Sequence, residues 1–383
     1  MTFRFLMALS PLALLAASCG SPAAGDSTKP SAVEVKDQFK VEVLGTFDEP
    51  WAMVLLPGGK SALITERSGH LRWWIDDEKK SILEVTGVPK VAYGGQGGLG
   101  DIALAPDFEK SHVAYLSWVE AGPDGTRGAV LGRATFGNGT LVFVASLDIK
   151  VIWRQTPKVT GRGHFSHRIA FSPDGKYMFV SSGERQKFTP AQDLSNNLGK
   201  VLRLNLDGTP AAGNPFADKG GVSAQIWSYG HRNLLGLQFD ASGQLWDLEH
   251  GPAGGDELNR IEPGKNYGWP LVSDGDNYDG SPIPRNSTRP DLAQPAISWN
   301  PVIAPGDFIF YSGKMWPEWK GQALIAGMGY PGLVRVKIDG DKGREEARYP
   351  LGHRIREIRE APDGSLLLLE DGKGGRLLRL TRK

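Results

Sequence analysis

Residues 169–184 read IAFSPDGKYMFVSSGE, two apolar stretches on either side of a Ser-Pro-Asp-Gly turn. The alternation places apolar side chains on one face of each stretch and Pro-Asp-Gly is a turn signal, so a β-hairpin is predicted. Five further units follow the same plan. They are MVLLPGGKSALITE from Met53, DIALAPDFEKSHVAYLSW from Asp101, LQFDASGQLWDLEHG from Leu237, DFIFYSGKMWPEWKGQALIAG from Asp307 and IREAPDGSLLLLEDG from Ile358.

The six units begin roughly 50 to 70 residues apart, which leaves room for two further strands in each repeat. One such unit cannot bury both of its faces, so the repeats must pack against one another. The sequence therefore predicts an all-β fold, a six-bladed β-propeller with four-stranded antiparallel blades. A two-sheet sandwich is the alternative, but it needs fewer strands and gives no reason for six similar turns.

The N-terminal residues predict export. They read MTFRFLMALSPLALLAASCG, in which an apolar stretch too short to span a bilayer is followed by small residues. The only cysteine, Cys19, follows Ala-Ala-Ser in a pattern similar to the lipobox of bacterial lipoproteins. We expect a lipoprotein-type signal peptide over residues 1–19, a flexible tether over 20–38 and the propeller over 39–383, tethered to a membrane in the periplasm. The alternative is an ordinary signal peptide that is removed together with Cys19.

The charge balance argues against nucleic acid as a partner. Lys and Arg number 44, Asp and Glu number 43, and no basic run is present. Neither nucleic acid nor an anionic membrane surface is therefore an expected partner, and a small neutral ligand fits better. No long exposed apolar edge is evident in the sequence, which favours a monomer over a dimer.

Three motif matches fail on their context. Residues 94–101, GGQGGLGD, have the glycine spacing of a dinucleotide loop, but an alternating strand with Pro106 follows instead of a helix. The loop DGDNYDG has Tyr278 where an EF-hand requires a side-chain oxygen ligand. Glu249-His250 lacks the second histidine of a zinc hydrolase, and the chain has no Gly-x-Ser-x-Gly elbow. Nucleotide binding and zinc or serine hydrolysis are therefore disfavoured.

Two segments carry residues that suit catalysis and cation binding. His164 closely precedes a repeat strand, which predicts its ring at the channel mouth as a general base; a structural, hydrogen-bonded ring is the alternative. Residues 249–270, EHGPAGGDELNRIEPGKNYGWP, place glycines around Pro252 and near the carboxylates of Asp256 and Glu257. Backbone carbonyls and carboxylates are the oxygen ligands that calcium prefers, and a plain connecting loop is the alternative.

A pair of arginines lies near the C-terminus. Arg354 and Arg356 are two residues apart in an extended stretch, so both guanidiniums are expected on the same side of the strand. Such a fork suits the carboxylates of a bound anion. A solvated edge strand is the alternative.

Six segments together resemble one known family. The segments are GGQGGLGDIALAPDF, HFSHRIAFSPDG, AQDLSNNLGKVLRLNLDG, IWSYGHRNLLGLQFD, EHGPAGGDELNRIEPGKNYGWP and GHRIREIREAPDG. Their order is similar to that in the soluble aldose sugar dehydrogenases that depend on pyrroloquinoline quinone (PQQ), the glucose/sorbosone dehydrogenase family, from about Phe39 to the end. The resemblance implies oxidation of aldoses at C1 to the lactone, with PQQ and calcium as cofactors and a quinone or cytochrome as the electron acceptor.

The resemblance also implies residue roles. His164 would be the general base, and Arg232 would stabilise charge on the reduced cofactor. The residues that contact the cofactor would be Gln96, Arg232, Asn233, Tyr278, Arg354 and Arg356. One calcium beside the cofactor would be held by the carbonyls of Gly251 and Pro252. A second, structural calcium would be held by the side chain of Glu257 and the carbonyl of Tyr267.

Four parts of the sequence depart from the family pattern. His167 stands where relatives have glycine, and we expect it to crowd the pocket or to add a second titrating group. Leu234 and Leu235 replace Pro-Gln, a change that should matter little if these side chains face the core. Residues 326–330 contain no cation where many relatives have one, and Val302 stands where some relatives have a hydroxyl. Substrate preference and cofactor affinity are the properties that these changes affect.

Two other functions remain open on a propeller of this kind. A calcium-dependent lactonase would hold its metal by inward carboxylate and Asn side chains and would need no arginine pair. A sugar- or protein-binding propeller without cofactor is the second alternative. The joint presence of His164, Arg232, Asn233 and the arginine pair favours the dehydrogenase over both.

Overall fold

The computed structural model of the chain describes Met1 and residues 38–136 and 146–383. The predicted signal peptide with Cys19 and nearly all of the predicted tether lie outside the described residues. Within them, one short α-helix, α1 (Phe108–Ser111), accompanies an all-β structure. Short 3-10 turns lie at Pro123–Gly125, Thr189–Gln192, Ala217–Lys219, Ser223–Gln225, Asn286–Thr288 and Pro317–Trp319. In these ranges we find no helix with the length and apolar character to cross a membrane.

The strands, numbered β1 to β26 in chain order, form six four-stranded antiparallel blades. Blade 1 contains β2 to β5: Pro50–Leu55, Ser61–Glu66, His70–Ile75 and Ile82–Val85. Blade 2 contains β6 to β9: Leu99–Leu104, Val113–Ala121, Arg127–Phe136 and Leu147–Arg154. Blade 3 contains β10 to β13: Ser166–Phe171, Tyr177–Ser182, Lys200–Asn205 and Ile226–Tyr229. The six predicted repeat units correspond to the first two strands of the six blades.

The second half of the ring is built in the same way. Blade 4 contains β14, β15, β17 and β19: Leu234–Phe239, Leu245–Glu249, Asp256–Arg260 and Ile297–Trp299. A small ribbon beside it pairs β16 with β18: Ala253–Gly254 and Gly275–Asp276. Blade 5 contains β20 to β23: Pro305–Phe310, Ala323–Gly327, Gly332–Asp339 and Lys342–Pro350. Blade 6 contains β24 to β26 and β1: Ile355–Glu360, Leu366–Glu370, Lys373–Arg382 and Phe39–Asp48.

The ring is closed by the two ends of the described domain. Strand β1 pairs antiparallel with β26, from Phe39 opposite Arg382 to Asp48 opposite Lys373. The innermost strands β2, β6, β10, β14, β20 and β24 contact one another in this order and return to β2. Apolar side chains pack between neighbouring blades, as the burial of faces in a propeller requires. The predicted six-bladed propeller is therefore confirmed, and the sandwich is excluded.

The inner strands define two ends of the channel. At the site face, where each inner strand begins, its pairing with the second strand is interrupted by a register shift. The shifts lie between Pro50 and Ala52, Leu99 and Ile102, Ser166 and Ile169, Leu234 and Gly236, Pro305 and Asp307, and Ile355 and Glu357. Such bulges re-aim side chains out of the regular sheet. The opposite end, the distal face, carries the hairpin turns of the repeats.

A buried arginine joins blades across the channel axis. Arg168 of blade 3 donates from Nε to the carbonyl of Leu235 at 2.7 Å and from Nη2 to the carbonyl of Gly306 at 2.9 Å. Its Nη1 lies 2.7 Å from a carboxylate oxygen of Glu357 in blade 6. Because its charge is paired and its donors are satisfied, this cation is tolerated at 2% exposure and fixes the inner strands relative to one another.

Candidate active site

A cavity of about 260 Å³ opens at the site face, where the bulged ends of the inner strands meet. Four of the predicted cofactor residues lie on its wall: Gln96, Asn233, Arg354 and Arg356. A larger cavity of about 890 Å³ lies at the distal ends of blades 4 and 5 and contains none of the predicted site residues. Size alone would select the wrong cavity, whereas the chemistry of the lining residues selects the one at the site face.

The backbone around this cavity is strained. Within a short stretch of blade 3, six residues other than glycine have left-handed backbone angles: His164, Ser166, His167, Arg185, Gln186 and Phe188. Left-handed geometry is unfavourable for residues with a side chain, and strained residues concentrate at functional sites. The surrounding hydrogen bonds hold this stretch in place. Arg185, for example, donates from Nε to the carbonyl of Gly163 at 2.9 Å and from Nη2 to that of Gly161 at 2.9 Å.

His164 forms a pair with Glu184 beside the cavity. Its Nδ1 lies 2.5 Å from Glu184 Oε1, and its backbone N–H donates to Gln96 Oε1 at 2.7 Å. Since the carboxylate accepts from Nδ1, Nε2 carries the lone pair, and it makes no hydrogen bond with any described residue. Burial lowers the pKa of His164 below 6.5, partly opposed by Glu184 and reinforced by the positive charge of Arg232. The imidazole is therefore neutral at neutral pH and can accept a proton.

The arginine pair faces the cavity and shares one carboxylate. Arg354 Nε donates to Asp371 Oδ2 at 2.8 Å, and Arg356 donates from Nε and Nη2 to Asp371 Oδ1 at 2.9 and 2.7 Å. Burial by itself would raise the pKa of Asp371, but the two guanidiniums outweigh it and lower this pKa. One negative charge against two positive charges leaves a cationic wall. Arg354 also contacts Met328, with Nη1 3.5 Å from the Met328 carbonyl oxygen. It therefore places a cation from blade 6 beside residues 326–330, which contain no Lys or Arg.

His167 behaves differently from the expected titrating group. Burial lowers its pKa to about 3, so it stays neutral at physiological pH. Its ring stacks on Trp51 with centroids 5.2 Å apart, and its Nδ1 lies 2.8 Å from Ser117 Oγ. The His167 side chain also lines the cavity, which agrees with the expected crowding of the pocket. Leu234 is fully buried, and Leu235 is buried in a cluster with Trp51 and Met328 but also lines the cavity at the bulge of β14.

Arg232 links the cavity to the neighbouring loop. It is 5% exposed, and its Nη1 donates to the carbonyls of His250 at 3.0 Å and Gly251 at 2.6 Å. Its Nη2 donates to the hydroxyl of Tyr278 at 3.2 Å, although the Tyr278 side chain is 77% exposed. Asn233 is buried and accepts from Ser166 Oγ at 3.3 Å. These residues lie together at the site face.

An ion-sized cavity of about 10 Å³ lies next to Arg232. Glu249, Gly251, Glu257 and Tyr267 are among the residues that line it. Burial, followed by the nearby charge of Glu249, raises the pKa of Glu257 well above its ordinary value. Two buried carboxylates facing one small space are a suitable donor set for a divalent cation. The predicted structural calcium therefore fits this cavity.

One predicted ligand of the cofactor calcium already binds another cation, the guanidinium of Arg232. The carbonyl ligands of this calcium would be Gly251 and Pro252, both buried, but the Gly251 carbonyl already accepts from Arg232. A calcium there would use the second lone pair of this oxygen or displace the guanidinium. The turn itself is tight, because a Cβ at Gly251 would stand 2.2 Å from the carbonyl oxygens of Gly254 and Gly255. Only glycine allows these oxygens to converge.

Sequence reasoning missed two carboxylates of the site, Glu184 and Asp371. A signal was present for the first: four of the repeat units have a glutamate at or within three residues of their end, at Glu66, Glu184, Glu249 and Glu370. Asp371 follows the last of these directly. Each meets its partner on the neighbouring strand end of its own blade, Glu184 with His164 in blade 3 and Asp371 with the arginine pair in blade 6, and the repeat pattern does not show how the bulges aim these side chains.

Comparison with known proteins identifies the family. The sequence profile described as "Glucose / Sorbosone dehydrogenase" matches residues 47–379. Aldose sugar dehydrogenase YliI of Escherichia coli is 39% identical over 348 residues, 89% of this chain and 92% of the relative. The crystal structure of soluble aldose sugar dehydrogenase from E. coli in the apo-form has a TM-score of 0.84 at 38% identity, over 90% of this chain and 100% of that one.

A ligand-bound structure is also similar. The PQQ-bound form of aldose sugar dehydrogenase from Streptomyces coelicolor has a TM-score of 0.72 at 28% identity, over 93% of this chain and 100% of that one. The similarity extends over nearly all of the propeller, and the matches agree on one family. The chain therefore belongs to the glucose/sorbosone dehydrogenase family, a family of oxidoreductases, as its motifs predict.

Proposed function

We propose that this protein oxidises the C1 hydroxyl of aldoses to the lactone with PQQ and calcium, and passes the electrons to a quinone or a cytochrome. The observation that supports this best is the His164–Glu184 pair beside a cavity walled by Arg354 and Arg356. It combines an oriented general base with a cationic surface for a ligand that carries carboxylates. The relatives named as aldose sugar dehydrogenases, one of them in a PQQ-bound form, support the same assignment.

His164 acts as the base in this proposal. Its Nε2 takes the proton of the C1 hydroxyl, and Glu184 holds Nδ1–H and stabilises the positive imidazolium that results. When bound, PQQ supplies a quinone that accepts two electrons with the C1 hydrogen, and calcium polarises its carbonyl oxygens.

The cofactor-binding roles follow from the available donors. Arg356 keeps Nη1 free of hydrogen bonds within the described ranges, so it can bind a carboxylate while it remains paired with Asp371. Gln96 and Asn233 offer amide groups on the same wall. Arg232 would stabilise negative charge that develops on the cofactor, since its guanidinium binds the carbonyls of Gly251 and of His250, a residue of the cavity wall.

Reconstitution tests the proposal. The domain from residue 38 onward is titrated with PQQ at saturating calcium, and aldoses are then added with an electron-accepting dye. We expect tight PQQ uptake and dye reduction that requires the aldose, with the lactone as product. Lack of PQQ uptake, or hydrolysis of lactones without any oxidation, would overturn the proposal and favour the binding-propeller or lactonase alternative respectively.

We further propose that the chain is exported, acylated at Cys19 and held at a membrane as a monomer. The proposal rests on the apolar leader and the Ala-Ala-Ser-Cys pattern. Expression of the full chain with a radiolabelled fatty acid should give a labelled, membrane-associated protein. The Cys19→Ala variant should lose the label, and a label that persists in this variant would contradict acylation at Cys19.

A further inference from the structure

Two features of Phe188 lower the stability of the folded protein. Its side chain is 48% exposed, and its backbone φ is 63°. In the described part of the chain, no other exposed large apolar side chain has a left-handed backbone. Exposing an apolar ring and straining its backbone both cost free energy, and such outliers cluster at functional sites. A bound ligand that covers the ring would account for this position of Phe188.

The carboxylate that orients the base also fixes Phe188. Glu184 Oε1 pairs with His164 Nδ1, while Glu184 Oε2 accepts the backbone N–H of Phe188 at 2.6 Å and of Lys187 at 2.5 Å. Burial alone would raise the pKa of Glu184, but the hydrogen bond from His164 and these other partners lower it, so the carboxylate stays ionised. A single charged group thus holds both the proton acceptor and the exposed ring in one fixed arrangement.

The ring of Phe188 extends an aromatic surface towards Arg232. It stacks on Trp269, with centroids 5.6 Å apart and planes inclined by 28°. Trp269 is only 5% exposed, and the guanidinium carbon of Arg232 lies 5.1 Å from its ring centroid. Phe188 is therefore the exposed outer layer of a stack that continues through Trp269 to Arg232, and its backbone is bound by the carboxylate that holds the base. A flat apolar surface beside polar reacting groups is the usual form of a small-ligand site.

We propose that Phe188 is a substrate-positioning residue that stacks against the apolar C–H face of an aldose ring, so that the C1 hydroxyl points at His164 Nε2. This inference rests on the proposed function. A pyranose has hydroxyls around its edge and C–H groups on its faces, so the aromatic ring would bind the face while polar groups bind the edge. The substrate class would be cyclic aldoses whose stacking face is free of axial hydroxyls.

The test uses steady-state kinetics of the PQQ- and calcium-loaded protein with glucose. Phe188→Leu keeps an apolar side chain but removes the flat ring, and we expect KM to rise about three- to tenfold with kcat nearly unchanged. Phe188→Tyr keeps the ring and should retain the wild-type KM. Leu83→Ala is the matched control, because Leu83 is also 48% exposed but lies on the outer strand of blade 1.

The outcomes separate this inference from the proposed function. If the loaded wild-type protein oxidises no aldose, the proposed function fails. If the wild type turns over but the KM of Phe188→Leu is unchanged, or only kcat falls, the stacking role is overturned. Should the leucine variant fail to fold in thermal unfolding, Phe188→Gly, which suits a φ of 63°, takes its place with the same expected rise in KM.

Discussion

The two ends of the propeller hairpins are built differently. At the distal face the turns of five blades are regular: hydrogen bonds close Leu56–Gly59, Ala105–Phe108, Ser172–Gly175, Asp240–Gly243 and Ala361–Gly364, each at 2.8 to 3.0 Å, while blade 5 has a longer connection. At the site face every inner strand has a register shift, and blade 3 adds a cluster of strained residues. The repeated turn sequences therefore lie at the distal face, where they stabilise the fold. The candidate active-site residues lie at the site face, where the blades differ from one another.

The largest effect should come from the base at the site face. His164→Ala removes the proton acceptor, so we expect kcat with glucose to fall by about a hundredfold or more while PQQ still binds. His112→Asn is the control, since His112 lies near the distal face with a φ of 50° that asparagine tolerates. Steady-state turnover and a PQQ titration measure both properties. Normal turnover of His164→Ala would remove the residue from its role.

The next largest effect should concern the cofactor. Arg356→Ala removes a charge-assisted hydrogen-bond donor from the cavity wall, so the PQQ dissociation constant should rise about ten- to a hundredfold. Arg344→Ala, on an outer strand with a side chain 72% exposed, should leave it unchanged. Fluorescence titration gives both constants. Equal constants for wild type and Arg356→Ala would show that the pair serves only to hold Asp371.

A smaller change should appear in the pH profile. His164 works as a base when neutral, and burial lowers its pKa below 6.5, so kcat/KM should fall only on the acid side of that value. Glu184 raises this pKa, hence Glu184→Gln should move the acid limb to lower pH and reduce turnover. Profiles of both proteins over about pH 4 to 8 check this. An unmoved limb would mean that another group titrates.

The structural calcium should affect stability rather than chemistry. A cation bound only by the folded state raises the melting temperature, so a chelator should lower the Tm of the wild type. Glu257→Gln removes one buried carboxylate ligand and should make the Tm insensitive to the chelator. Thermal unfolding with and without added calcium measures this. A chelator effect that is the same in the variant would place the ion elsewhere.

The smallest effect should come from the distal face. Gly243 has a φ of 85° in the turn of blade 4, so Gly243→Ala should cost about 1 kcal/mol of unfolding free energy and leave kcat and KM unchanged. Ala241→Ser in the same turn is the control and should be neutral. Denaturant unfolding and glucose kinetics test the contrast directly. A loss of activity in Gly243→Ala would show that the two ends are not independent.

The fold could be predicted from the sequence because the repeated turns are formed by residues close together in the chain. In five of the six blades Ser-Pro-Asp-Gly or its counterpart forms a hydrogen bond within four residues, so the repeat is visible in the sequence without knowledge of the tertiary contacts. Several site positions followed from motifs, and Gln96, Asn233, Arg354 and Arg356 do share one cavity.

Other parts of the site depend on side-chain contacts between strand ends and on bulges. Glu184 and Asp371 bind partners at the neighbouring strand end of the same blade, and Leu235 lines the cavity at the bulge of β14. The neutral state of His167 follows from its complete burial against Trp51, which lies in another blade. A period-two pattern assigns faces to regular strands and therefore fails at these bulges.

The most direct test of the central claim is a single half-reaction. The PQQ- and calcium-loaded protein is mixed without oxygen or acceptor with glucose or with C1-deuterated glucose, and the cofactor absorbance is followed in a stopped-flow instrument. We predict bleaching by one equivalent of glucose per cofactor, a slower rate with the deuterated sugar, and almost no bleaching in His164→Ala. Bleaching that is equally fast in His164→Ala, or absent in the wild type at saturating glucose, would contradict the assignment of this site to aldose oxidation at C1.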